Sequence, residues 1–466
     1  MRVLLILNLA AILFAQSEAL AQSKALAKSE ALAKSEVPAV ENALPLSMKR
    51  AVEIALAPEG SPRVALAQES MKEAELRKLE SRSAFLPDLE SSLNDQRETT
   101  NLRAFGFSPS IFAGLPFAIS FPSIVGPFSI LDARATASQT VFDFSSIRKY
   151  QGAKVNVEAA KSDFDATKNQ VTDTVARAYL ATLRAQAALD TAQANVDLSQ
   201  ALLTLAQQQK DAGTGTGLDV TRADVQLAND KQHLVSAAND RRKAGLNLMR
   251  AMGLRLEASI ELTDRLEYRP ADIGSLEDAL ADARKLRAEL KAQKDREQSA
   301  RLTYGSVKAE RLPSLAASAN YGSIGSEIVG AQPTYDYGFS LRVPLFDGGR
   351  RDARRAESLS EYRQEQIRTR DLEQQVELDV RLAFDSIPSA AAEVDSAREG
   401  VDLSDKELAQ AKRRYQAGVA NSLEVTDAQT RLDRARDNLI NALYDYNVAR
   451  IDLATATGKI QEYVNQ

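Results

Sequence analysis

At 466 residues with a formal net charge of −5, one histidine, no cysteine and no tryptophan, the sequence excludes disulfides, thiolate metal sites, a cysteine nucleophile and a lipidated N-terminal cysteine. The negative balance offers no basic face for nucleic acid. Ala, Gln, Leu and charged residues dominate while Gly and Pro are sparse, the composition of long helices and coiled coils.

The start, residues 1–21, reads as a secretory signal: Arg2, an apolar run from Val3 to Ala15, and Ala19-Leu20-Ala21 as a small-x-small cleavage site. A short membrane anchor is the other reading, although about thirteen apolar residues fall short of a bilayer. Residues 22–44 form a low-complexity linker. Within 17–36 a six-residue unit repeats, and its recurring Ala-Leu-Ala leaves Ala27 and Ala33 as further cleavage sites. No other stretch reaches the length of a transmembrane helix, so a membrane crossing would have to be made with strands.

Beyond the linker the chain repeats itself. Subtracting 205 places Gly418 on Gly213, Gly458 on Gly253, and Leu423-Glu424-Val425-Thr426 on Leu218-Asp219-Val220-Thr221. Val-Pro-Leu-Phe-Asp ending at Asp347 likewise answers Gln-Thr-Val-Phe-Asp ending at Asp143. Residues 45–259 and 276–466 are therefore two structural repeats, with 260–275 as a connector. Each reads as helix, strand, strand, very long helix, turn and returning helix.

In the first repeat Leu131, Ala133, Ala135, Ala137 and Val141 alternate with Asp132, Arg134, Thr136 and Ser138, a strand pattern. Between its two strands the loop 99–127 carries about twenty extra residues, with Phe105, Phe107, Phe112, Phe117 and Phe121 among Pro109, Pro116 and Pro122. This loop either packs on itself or forms a lid or membrane-surface contact. A helix follows from about Ser146 to Asp211, roughly 100 Å long at 1.5 Å per residue. The second repeat alternates cleanly over Tyr335 to Leu345, and its partner sets Leu315, Ala317, Ala319 and Tyr321 against Ser314, Ser318 and Asn320.

The long helices carry heptad seams. Val380, Ile387, Val394, Val401, Leu408 and Tyr415 fall seven apart, beside Val376, Ala383, Ala390, Ala397, Ser404 and Ala411. The first repeat matches the small series with Ala178, Ala185, Ala192, Ser199 and Ala206. Returning helices do the same, with Val425, Leu432, Leu439, Tyr446 and Leu453 beside Ala428, Ala435, Ala442, Ala449 and Ala456. A sustained seven-residue repeat predicts coiled-coil packing, and alanine at alternate knobs lets helices approach closely. Pro388 predicts a local kink in the second long helix.

Alternating strands suit a membrane barrel or a soluble sheet with one wet face. Four strands of about ten residues leave two open edges, which lipid does not tolerate, so several copies must pool strands. Three copies give about twelve strands and a lumen, whereas two give a filled barrel.

These residues resemble the TolC-like outer-membrane efflux family from about Leu46 to Lys459. The resemblance lies in Tyr415-Gln416-Ala417-Gly418, in Leu423-Glu424-Val425-Thr426-Asp427-Ala428-Gln429, in Val343-Pro344-Leu345-Phe346-Asp347-Gly348-Gly349, and in the duplication. It implies an α+β membrane protein, a homotrimer whose 12-stranded β-barrel continues into a periplasmic α-helical coiled-coil tunnel. It also implies a passive exit duct of a tripartite efflux or type I secretion system, seated in outer-membrane lipid. The implied partners are a periplasmic adaptor and an inner-membrane pump. By matching position, Glu424 and Asp427 are implied to line a gate at the periplasmic tips, and the i, i+3 spacing independently puts them on one helical face. Tyr415 and Asp219 match positions that join neighbouring helices in the closed state. The sequence departs from the family at Ala420, where an arginine joins that network. Gly213, Gly217 and Gly418, with Gly215, sit at the turns. They are left-handed caps and, by resemblance, contact the adaptor.

No enzyme chemistry is expected. Gly213, Gly215 and Gly217 lack the lysine and preceding strand of a phosphate loop. His233, the single histidine, reads as a helix-surface residue, and neither a cofactor nor a metal motif is present. The reading from another class is a soluble periplasmic coiled-coil scaffold or adaptor.

Overall fold

A computed structural model describes residues 44–106, 122–258 and 260–465. The expected signal 1–21, the expected linker up to residue 43 and the aromatic centre of loop 99–127 lie outside the described residues. In chain order the first elements are β1 (Leu44–Leu46), α1 (Met48–Leu56), α2 (Pro62–Ser83), β2 (Asp88–Asn101), β3 (Ile124–Phe142), α3 (Phe144–Asp211) and α4 (Gly217–Met252). Then come β4 (Ile260–Leu262), α5 (Leu276–Leu286), α6 (Ala288–Ala309), β5 (Ser314–Gly325), β6 (Gln332–Arg342), α7 (Arg350–Gln416), α8 (Ser422–Ala456) and the short α9 (Ile460–Val464).

Two units result. One holds a parallel two-stranded ladder, β1 on β4, paired Leu44 to Ile260, with the Thr263 N–H donating to the Leu46 carbonyl at 3.0 Å. The other, Ser47–Leu256 with Asp264–Gln466, holds the four-stranded sheet and the helices.

Within that second unit the duplication is visible element by element. Helices α3 and α7 span 68 and 67 residues, and each turns back into a shorter helix that packs along it. Their termini are fixed by local chemistry. Asp143 caps α3 by accepting from the amides of Ser145 and Ser146, and Asn421 caps α8 by accepting from the Glu424 amide. The heptad seam of the second repeat is buried as its spacing requires, with Val380, Ile387, Val394 and Leu408 all at most 4% exposed. Each such side chain contributes roughly 1.5–3 kcal/mol through burial. Toward the tips, Leu408, Ala411, Tyr415, Val425, Ala428 and Leu432 form one cluster, onto which Leu198, Leu202 and Leu205 of α3 pack. The two repeats therefore share a core at that end.

Helix α7 is continuous through Pro388. Two expectations are corrected. Strand β6 covers Gln332–Arg342, so Val343 to Leu345 fall after it, where Pro344 cannot donate to a ladder. Strands β2 and β3 run 14 and 19 residues, longer than the ten or so expected.

The sheet order is β2-β3-β5-β6, antiparallel throughout, with bulges between Glu98 and Thr100 and between Thr140 and Phe142. One face of β2, β5 and β6 exposes Leu89, Leu93, Tyr321, Tyr335, Tyr337, Phe339 and Leu341. The opposite face carries Glu90, Ser92, Arg134, Thr136, Asn320 and Asp336. Strands β2 and β6 are the open edges.

Candidate functional site

The residues singled out from the sequence gather where the two helix-to-helix turns lie side by side. Both turns close alike. The amides of Gly213 and Thr214 donate to the carbonyls of Lys210 and Gln209, and those of Gly418 and Val419 to Tyr415 and Arg414. Gly213 and Gly418 have φ of 75° and 72° with no atom close enough to crowd a Cβ, so backbone conformation alone calls for glycine there. Gly215 differs, since an added Cβ would meet Gln209 Cβ and the Lys210 nitrogen at 3.0 Å. Neither Gly215 nor Gly217 takes the left-handed φ expected of a cap, and Gly217 instead opens α4 with free space around it.

Asp219 links the turns. It forms a capping box with Thr216, whose amide donates to Asp219 Oδ2 at 3.0 Å and whose Oγ1 accepts from the Asp219 amide at 3.3 Å. Across the repeat, Ser422 Oγ donates to Asp219 Oδ1. The Ser422 and Thr216 hydrogen bonds hold the Asp219 carboxyl below the usual carboxylate range. Gln209 Nε2 adds a second bridge by donating to the Tyr415 carbonyl at 3.1 Å.

Tyr415 is 6% exposed, and its hydroxyl has no hydrogen-bond partner among the described residues. Burial, and then the nearby Asp219 charge, push its phenol upward. Within one chain Tyr415 and Asp219 are thus neighbours without a hydrogen bond between them.

Glu424 and Asp427 sit on the first turns of α8 but differ in partners. Arg414 Nε meets Glu424 Oε1 at 3.1 Å, both side chains being about half exposed. Asp427 is exposed and makes no ion pair among the described residues. Sequence spacing along α8 gave no hint of Arg414, which approaches from the end of α7.

Further along the same helices lies a feature that sequence reasoning passed over. Ser199, Asp230 and Gln429, from α3, α4 and α8, are each at most 5% exposed. Ser199 Oγ donates to Asp230 Oδ2, and Gln429 Nε2 reaches Ser199 Oγ at 2.6 Å and Asp230 Oδ2 at 3.2 Å. Gln226 Nε2 donates to Asp230 Oδ1 at 3.0 Å. The signal available was Ser199 itself, a hydroxyl in a series otherwise built from alanine. Beside this network a groove of about 560 Å³ is lined by Asp230, His233, Asp433 and Asp437. His233 is exposed, in line with its expected surface position. No cluster of three or more metal-ligating groups occurs among the described residues. Nor is any described helix long and apolar enough to cross a membrane.

Comparison with known proteins fits this geometry. The sequence matches the outer membrane efflux protein family over residues 54–254 and 279–459. A direct comparison with curated proteins finds no match. Among solved structures, the chain is similar to the CmeC outer membrane channel of Campylobacter jejuni, with a TM-score of 0.75 at 14% identity over 88% of this chain and 85% of that one. The outer membrane protein VceC of Vibrio cholerae gives a TM-score of 0.74 at 19% identity, covering 88% and 96%. The MtrE outer membrane channel of Neisseria gonorrhoeae, solved in its open state, gives 0.72 at 19%, covering 88% of each. At these identities the likeness establishes a shared fold.

Proposed function

This chain belongs to the outer membrane efflux protein family and is a non-enzymatic outer-membrane efflux channel; from that premise we propose that it works as a homotrimeric duct gated at its helix tips. The observation that carries the proposal is the sheet, which has four strands, two open edges, and one face rich in exposed apolar side chains opposite a polar one. Such edges are untenable in lipid, and three copies would supply about twelve strands to close a barrel around a lumen. A second observation points the same way. The helices leave Ile367, Leu378, Leu382, Leu403, Val225 and Val235 about half exposed or more, an apolar surface suited to packing against other copies.

In this reading the repeats 45–259 and 276–466 each contribute half of a protomer's wall, joined by the connector 260–275, and a signal at 1–21 precedes the linker. The tips form the closed end. Glu424 and Asp427 from three protomers ring a narrow opening, while Tyr415, Asp219, Ser422 and Gln209 hold neighbouring helices together. Gly213, Gly217 and Gly418 shape the turns that a periplasmic adaptor would grip, with an inner-membrane pump beyond it.

The test begins with membrane-localised protein in mild detergent, its oligomeric mass and its conductance in planar bilayers. A trimer with small, cation-selective openings is expected. Replacing Glu424→Gln and Asp427→Asn together should raise resting conductance or remove block by cations. A channel indifferent to the double change would count against the gate. A detergent-free, non-conducting monomer or dimer would instead support the scaffold reading.

A further inference from the structure

The polar face of the sheet carries one guanidinium at mid-strand, and its setting is specific. Arg134 on β3 is paired in register with Ser92 on β2 and Gly322 on β5. Its Nε donates to Asp132 Oδ2 at 3.3 Å, its Nη1 to Asn320 Oδ1, and its Nη2 to Thr334 Oγ1 at 3.2 Å. Asn320 Nδ2 donates in turn to Asp336 Oδ1. The side chain thus reaches from β3 across β5 to β6, a span of two strand spacings of about 4.8 Å each. Gly322 keeps that path clear, because a Cβ there would lie 3.2 Å from Arg134 Cβ and 2.6 Å from the Ala133 carbonyl oxygen. Arg134 and Asp132 are only 25% and 23% exposed even in a single chain, so the charge is fixed in the wall rather than swinging freely in water. The other arginine on this face, Arg342, stands at the very end of β6.

We propose that Arg134 is a specificity-determining residue of the duct: a cation fixed at mid-depth of the sheet's polar face that offsets the neighbouring Asp132 and Asp336 carboxylates and so restrains cation passage. This rests on the channel reading above, in which the polar face lines the lumen. Closure by symmetry would place one Arg134 per protomer at the same depth, a ring set by hydrogen bonds to three strands. A fixed charge in a low-dielectric wall acts on passing ions through the whole cross-section of a narrow lumen. It is separate from the carboxylates at the helix tips, and of opposite sign.

The experiment is the reversal potential of the reconstituted full-length trimer in a KCl gradient. Arg134→Gln should raise the potassium-to-chloride permeability ratio by about two-fold or more, whereas Arg134→Lys should stay close to the parent. Arg134→Gln also removes three hydrogen bonds and could impair assembly, so Ser92→Glu provides an independent reading. It removes none of the groups that hold Arg134, sets a carboxylate at the register partner, and should shift selectivity toward cations in the same direction. A conducting trimer whose reversal potential is unmoved by Arg134→Gln or by Ser92→Glu overturns the inference while leaving the duct intact. A parent protein that forms no channel removes the duct reading first, and this inference with it.

Discussion

Asp433 offers a direct test of the packing between the two repeats. It projects from α8 into the groove beside the buried Asp230 network, facing Asp230 and His233 of α4 and its own neighbours Arg436 and Asp437. Its Oδ1 has no hydrogen-bond partner among the described residues. Burial, reinforced by the Asp230 charge, raises its pKa from 3.8 to about 6. Because the folded value lies above the unfolded one, the group's stabilising contribution is complete below about 3.8 and is lost as pH rises through about 6. At neutral pH the ionised carboxylate therefore strains the α4–α8 contact. The displacement sets a ceiling of about 3 kcal/mol, and solvent access to the site reduces the expectation to about 1 kcal/mol. Asp433→Asn should recover that amount. Amide hydrogen exchange on the solubilised assembly, corrected for intrinsic rates, reads it locally. Peptides covering Gln226 to Asp240 and Thr430 to Asp437 should be about five-fold better protected in the variant at pH 7.5, and nearly equal to the parent at pH 3.5, below the unfolded value. Equal protection at pH 7.5, or the same gain at both pH values, would refute the electrostatic account.

Two further expectations concern the turns. Gly253 and Gly418 both adopt left-handed φ, but a Cβ at Gly253 would sit 2.4 Å from the Gly60 carbonyl oxygen, whereas Gly418 faces open space. Gly418→Ala should therefore cost about 1 kcal/mol and Gly253→Ala distinctly more, an order that thermal denaturation of the two variants checks. Tyr415→Phe removes a buried hydroxyl that has no partner and stands near Asp219, so it should leave thermal stability and resting conductance unchanged or slightly favour the closed state. A marked rise in conductance would show that the hydroxyl finds its partner on a neighbouring protomer.

The large elements were legible because their signals run along the chain. A seven-residue repeat declares a long helix wherever it persists, and the offset of 205 fixes both turns before any coordinate is known. Side-chain parity in β3, β5 and β6 was equally plain. Strand β2 was harder, since Asp88 to Asn101 is polar almost throughout and its limits depend on pairing with β3. The polar contacts at the tips were not legible. Arg414 with Glu424, Gln209 with the Tyr415 carbonyl and Ser422 with Asp219 all join residues on different helices. Their partners are chosen by how closely two helices approach, which spacing along one helix does not encode.

The duplication explains where those cross-repeat contacts arise. Shifted by 205, Ser422 falls on Gly217, Tyr415 on Lys210, Gln429 on Asp224, and Asp230 on Ala435. Each bridge between the repeats uses a position at which the halves have diverged. Ser422 supplies the hydroxyl to Asp219 that Gly217 lacks, and Asp230 supplies the carboxylate that Ala435 lacks. Two identical repeats would present each groove with the same group twice: two glycines at the tip, or two alanines and two aspartates at the seam. Neither arrangement pairs a donor with an acceptor. The shared seam of small residues lets either helix pair pack against the other in more than one register, since alanine against alanine carries little directional preference. The buried Asp230 carboxylate restricts that freedom, because a slip of α8 takes away the Gln429 amide that donates to it across the repeats, at a cost of about 1–3 kcal/mol. The apolar heptads thus account for the attraction between the repeats, and the few diverged polar positions fix their alignment at the end of the helices where the gate is proposed to lie.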